Sequence, residues 1–250
     1  MKLGLEGRVA LVTGGARDVG REIALGLAAE GAAVVVNYHG SKAGAEAVVA
    51  EIQASGGKAL ALGCDISDFA AVQQMVATTV AEFGGLNILV NNAGLVFRKR
   101  FVDSTPEEWR RQIDVCLYGT LNCCHAAWPH LEAQPGKGRI LCVVGDSSRV
   151  GESGLAIAAA ARAGNIALLK SLARETRNGT TANTLALGLI ETAHDPGFIA
   201  ANRDKLTKLY PLRRLGQPAD VAPLAVLLAS EQGSWVTGQV VSVSGGFSMV

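Results

Sequence analysis

Apolar residues follow two rhythms along this chain. Short unbroken runs alternate with longer stretches in which apolar positions recur at helical spacing. The first run, RVALV at 8–12, ends in TGGARDVG and leads into REIALGLAAEG, which is helical in spacing and stops at Gly31. AAVVVNY is a second buried run, and the helical stretch after it covers 41–55 and closes on Gly56 and Gly57. KALALGCD, a helix over 69–83 and LNILVNNAG follow in order. A long helix is predicted over 105–133, with Thr105, Pro106, Glu107 and Glu108 as its start signal. GRILCVVG then passes through a polar turn into an alanine-rich helix that continues to Arg174. TTANTLALG is the sixth strand, 189–215 is less regular, 218–230 is helical, and QVVSVSGG closes the series.

Strands that are apolar throughout, each followed by a helix, predict a parallel sheet covered on both faces. The fold class expected is therefore α/β: a single Rossmann-type doubly wound parallel sheet flanked by helices, one domain over 1–250. A ligand belongs at the carboxyl ends of such strands, near the point where strand order reverses.

Composition narrows the function classes. The net charge is +1 and no Lys/Arg cluster exceeds a few residues, so a nucleic-acid footprint is not expected. No apolar run approaches the 18 or so residues that span a membrane, and MKLGLEGRVALVTGG runs directly into a strand without a secretion signal. The five cysteines, Cys64, Cys116, Cys123, Cys124 and Cys142, have no CxxC spacing and read as thiols in a reducing cytoplasm. His125 and His130 fall on different faces of a helix with no carboxylate to complete a set, so no metal is expected. Trp109, Trp128 and Trp235 read as core or subunit-contact residues.

The glycine-rich turn after the first strand is the candidate cofactor site. Glycines there let backbone N–H groups approach a pyrophosphate at a helix N-terminus. Other candidates also stand at carboxyl ends of strands: Asp65 after strand three, Asn91-Asn92-Ala93-Gly94 after strand four, and Thr192 after strand six. With VALVTGG, NNAG, SLARE at 171–175, IET at 190–192, RLGQPADVA at 214–222 and VTGQVVSVSGG at 236–246, the chain resembles the short-chain dehydrogenase/reductase family, in its 3-oxoacyl reductase-like subgroup. The likeness covers essentially the whole chain.

That resemblance implies a nicotinamide dinucleotide held by Gly14, Arg17, Gly20, Asn37, Asp65, Asn92, Ala93, Gly94 and Thr192. Cationic Arg17 with neutral Asn37 matches the pattern that prefers NADP(H), because a 2′-phosphate suits them better than a carboxylate would. It also implies a tetramer. Asp18, however, stands where the family's turn has its middle glycine. A carboxylate there is expected to weaken or abolish dinucleotide binding, unless it only caps the next helix.

The resemblance also implies a Tyr, a Lys four residues on, a Ser at the preceding strand end, and an Asn on the long helix. An ungapped match places Ala158, Arg162, Gly145 and Cys116 at those four positions. Losing the positioned acid and the oxyanion donor removes roughly 5–9 kcal/mol of transition-state stabilisation if the effects add. Ser148, Asp146, Glu152 and His194 are the possible substitutes; otherwise they read as a solvated loop.

Two function classes follow. One is a catalytically degenerate subunit, acting structurally or in a heteromer with an active sister chain that oxidises hydroxyacyl-CoA or similar substrates. The other is an NADP-dependent oxidoreductase, or a non-redox lyase or isomerase, using substitute groups such as Asp146 or His194.

Overall fold

The computed structural model describes residues 2–192 and 196–250, the side chains at 196 and 198 aside. Seven parallel strands form one sheet: β1 (Val9–Val12), β2 (Ala33–Tyr38), β3 (Ala59–Gly63), β4 (Ile88–Asn91), β5 (Arg139–Gly145), β6 (Thr181–Leu187) and β7 (Val240–Val243). Their order across the sheet is β3-β2-β1-β4-β5-β6-β7. Strand order therefore reverses between β1 and β4, where Ala10 stands opposite Ile88. All seven strands and the doubly wound, Rossmann-like sheet match the expectation drawn from the apolar runs.

Because successive side chains point to opposite faces, each strand feeds two cores. Ala10, Val12, Val34, Val36, Ile88 and Val90 pack under helices α1 (Asp18–Ala29), α2 (Lys42–Ala54) and, on the same side, α9 (Pro218–Ala229). Leu11, Val35, Leu89, Ile140, Cys142 and Val144 face the other way, against α3 (Phe69–Phe83), α5 (Gly119–Glu132) and α7 (Ala156–Glu175). Burial on both faces explains why the strands read as unbroken apolar runs. By length and composition α7 passes for a membrane span, but it lies along the sheet against β5 and β6.

Helix ends carry their own signals. Asp68 Oδ1 accepts from Ala71 N (3.1 Å) at the start of α3, and Gly84 at φ +78° ends it. Helix α4 (Pro106–Ile113) opens with a reciprocal box between Thr105 and Glu108.

Three stretches depart from the sequence reading. The long helix expected over 105–133 is broken in register: a π-turn at Asp114–Tyr118 joins α4 to α5. The segment at 189–215 contains a regular helix, α8 (Pro196–Thr207). The polar turn after β5 winds into a short helix, α6 (Ser147–Val150).

Candidate functional site

A cleft of about 1380 Å³ runs along the carboxyl ends of the strands, from Tyr38 and Asp65 past the β1–α1 turn to Arg162 and Ile199. At its centre the turn after β1 and the loop after β4 are tied through Thr13. The Thr13 hydroxyl accepts from Asn92 N (3.0 Å) and Ala93 N (3.1 Å), and the Asn92 amide donates to Thr13 O and Gly14 O (3.0 and 3.1 Å). Gly14 sits at φ +61°, where a methyl group would lie 3.0 Å from Ala93 Cα. A methyl at Gly20 would run into Gly14 O. Glycine is needed at both positions because another loop already occupies the space of a side chain.

Asp18, the first residue of α1, holds φ +49°, which is strained for a residue with a Cβ. Its carboxylate lies 3.8 Å from the exposed Arg17 guanidinium. Asn37 borders the cleft but its side chain is buried and spent on backbone. The carbonyl accepts from Gly14 N (3.3 Å), and the amide donates to Tyr38 O, Leu62 O and Cys64 O. Its work is to hold the ends of β2 and β3 against the glycine turn. Asp65 accepts from Ser67 N and Oγ (2.9 and 2.7 Å), with His39 Nδ1 at 3.7 Å. Partial burial alone would raise the Asp65 pKa, but the two Ser67 donors and His39 hold it below the usual carboxylate range. Thr192 lines the cleft above β6.

At the other end the cleft passes Gly145, Leu155 and Arg162. The Arg162 guanidinium lies against Gly94, so closely that a methyl there would collide with it. Ala158, one turn earlier on α7, is buried. Cys116 lies in the π-turn, where its thiol accepts from Leu95 N (3.3 Å) and donates to Leu95 O (3.2 Å). Asn165 donates to Cys116 O (2.7 Å) and Thr120 Oγ1 (3.2 Å), and so holds the carbonyl that the π-turn releases. The sequence reading missed Thr13, Asn165 and the packing role of Asn37; all three act through backbone atoms distant in the chain, and no spacing rule points to them.

The substitute groups scatter. Asp146 does not reach the cleft: its buried carboxylate accepts from Ser242 Oγ (2.8 Å), the hydroxyl to which Arg149 donates (2.6 Å). Ser148 lines a separate cavity of about 500 Å³ with Arg149, Lys170 and Gln239. Glu152 pairs with Arg98 (2.9 Å) at the rim. His194 lies outside the described residues. Burial pushes the Cys124 and Cys142 thiols up to about 12 and Cys64 up to about 11, so none of the three is a ready thiolate at neutral pH.

A family model described as enoyl-(acyl carrier protein) reductase matches residues 14–248. The chain is 39% identical to the 3-oxoacyl-[acyl-carrier-protein] reductase FabG of Staphylococcus aureus, over 96% of this chain and 98% of that one. Among solved structures it is similar to a short-chain dehydrogenase from Burkholderia cenocepacia in complex with NADP: TM-score 0.92, 34% identity, 97% and 98% of the two chains covered. It is also similar to a blue fluorescent protein from a metagenomic library in complex with NADPH: TM-score 0.92, 32% identity, 98% and 100% covered.

These likenesses correct the expectation of a catalytically degenerate subunit. A relative sharing 39% identity along nearly the entire chain is named as a reductase, which speaks for an active enzyme.

Proposed function

The chain belongs to the short-chain dehydrogenase/reductase family, and from that premise we propose that it is an NADP(H)-dependent oxidoreductase of the 3-oxoacyl reductase kind. The observation that carries the reading is the glycine turn after β1, tied to the loop after β4 at the centre of a single cleft that continues to Arg162. The fit to a dinucleotide rests on the cleft wall there: Gly14, Val19 and Gly20 line it at the N-terminus of α1, where backbone N–H groups favour a pyrophosphate. Gly14, Gly20, Asn92, Ala93 and Gly94 would hold the phosphates and the nicotinamide end, Arg17 a 2′-phosphate, Asp65 the base, and Thr192 the carboxamide side. Asn37 contributes by fixing the turn. Bound NADPH supplies a hydride for a carbonyl.

In this reading Cys116, Gly145, Ala158 and Arg162 occupy the family's Asn, Ser, Tyr and Lys positions. The chain's contribution to the reacting carbonyl is then electrostatic. Arg162 presents a permanent positive charge to the oxygen as negative charge builds on it, an effect worth about 10²–10³-fold for a pre-organised donor. A guanidinium stays charged in proteins and gives up no proton at neutral pH. The proton comes from water in the open cleft, so slow turnover is expected. Buried thiols and a sheet-bound α7 suit a soluble, cytoplasmic protein.

The test is direct. Purified chain is mixed with NADPH and, in turn, a 3-oxoacyl thioester, a 3-oxo acid and a simple ketone, and loss of NADPH fluorescence is followed. Turnover above the protein-free rate, falling about 10²-fold in Arg162→Gln, supports the reading. The absence of both NADPH binding and turnover across the panel overturns it.

A further inference from the structure

Arg162 is the cation at the reactive end of the cleft, and its electrostatic surroundings are unusual. Its guanidinium is half-buried against Gly94 and near enough to the Cys142 thiol to act on it electrostatically. Among the described residues no carboxylate pairs with it. Of the acids lining the cleft nearby, Glu108 pairs with Lys99, and Asp114 makes no ion pair with Arg162. The other cations nearby are committed: Arg98 to Glu152, Lys99 to Glu108 at 2.7 Å, and Arg111 over the Phe97 ring at 5.3 Å.

A partly desolvated cation without a counter-charge costs stability that a ligand anion would recover. The surroundings also leave room for one. The cleft there is lined by Gly145, which has no side chain. The walls beside it, Val144, Leu155, Leu189 and Ile199, are apolar. A fork of donors with an apolar side next to it is the complement of a carboxylate with an apolar tail.

Resting on the reading above, we infer that the Arg162 end of the cleft is a carboxylate site, and that the substrate is an oxo acid in its free, anionic form. The guanidinium offers five donors in a plane. A carboxylate takes two of them side by side, and the carbonyl oxygen one or two carbons away reaches a third. The same group thus positions the acid and faces the oxygen that gains charge. A thioester has no anion to offer at this point and is the poorer ligand.

Binding of non-reactive analogues tests this apart from turnover. Hexanoate and hexanamide, matched in shape and different in charge, are titrated calorimetrically into the full chain with and without saturating NADPH. The expected result is hexanoate binding about tenfold or more tighter than hexanamide, as a charge-assisted bidentate pair requires. Arg162→Gln removes that preference and leaves NADPH affinity within about twofold. Arg162→Lys keeps the charge without the fork and retains part of the preference, which covers the case in which Arg162→Gln fails to fold. Equal binding of the two analogues overturns the inference, and so does a preference that survives Arg162→Gln. Loss of NADPH binding in Arg162→Gln with the carboxylate preference intact also overturns it, because the guanidinium then serves the dinucleotide. If NADPH does not bind while hexanoate still does, the oxidoreductase reading fails and the carboxylate site stands.

Discussion

Asn37 illustrates how a residue can border a site and serve the scaffold. From the sequence, a neutral residue at the end of β2 points to NADP(H); in the structure its amide is bonded to four backbone groups on three segments. Asn37→Asp replaces a buried donor by a charge that accepts only, next to three carbonyl oxygens. The expected cost is about 1–3 kcal/mol or more, with a lowered Tm and no clean switch to NADH; thermal unfolding and parallel NADH and NADPH titrations check it. A gain of NADH affinity at unchanged Tm would contradict this role. Asp18 is the opposite case, a strained residue in the glycine turn. Asp18→Gly removes the penalty of φ +49° and a carboxylate from the turn at which the phosphates are proposed to sit. It is expected to stabilise the chain by about 1 kcal/mol and to tighten NADPH binding several-fold, read by fluorescence titration. An unchanged Kd would show that the carboxylate is held clear of the phosphates by Arg17.

Secondary-structure elements were largely legible because their causes are local. Seven unbroken apolar runs gave seven strands, and Thr105, Pro106 and Glu108 marked the start of α4 as they would in an isolated helix. The π-turn was not legible. It adds one residue to a turn without altering the apolar spacing enough to notice, and a partner on another helix, Asn165, stabilises it. Asn165→Leu is expected to leave Cys116 O buried and without this donor, costing about 1–3 kcal/mol in a denaturant titration. Helix α8 escaped because its polar sequence has little apolar periodicity. At the start of α9, Asp220 accepts from Gln217 N (2.7 Å) and from both ends of the Arg214 guanidinium (2.6 and 2.8 Å). Arg214 first, then the Gln217 amide, holds the Asp220 carboxyl down at about 2. A folded carboxylate below its unfolded value of about 3.9 contributes stability above that pH and loses it as pH falls toward about 2. Asp220→Asn should therefore lower Tm by about 2–4 °C at neutral pH, and the difference should close as the melt is repeated toward pH 2.

Among the described residues, apolar side chains are exposed in several places, and two of these regions hold aromatic groups exposed by more than half. Around α4 and the π-turn, Phe101, Val102 and Tyr118 are 56%, 76% and 55% exposed. Near β7, an edge strand of the sheet, Trp235 is 98% exposed and Met249 and Val250 are 79% and 71% exposed. Single exposed apolar residues are ordinary, but a wholly exposed tryptophan beside an uncovered strand edge is an aggregation liability unless another chain covers it. Two separate patches on one chain suit a closed assembly with two kinds of two-fold contact, a dimer of dimers. The expected state is a homotetramer. Light scattering after size exclusion should give four chain masses, and Tm should rise with protein concentration, since association stabilises only the folded chain. Trp235→Glu places a charge in one contact and should halve the mass, while Tyr118→Glu, acting at the other region, should also halve it but through the remaining contact. The double substitution should yield single chains. A monomer at all concentrations for the unaltered chain would refute the assembly. Halving by only one of the two substitutions would leave a single interface and a dimer of a different kind.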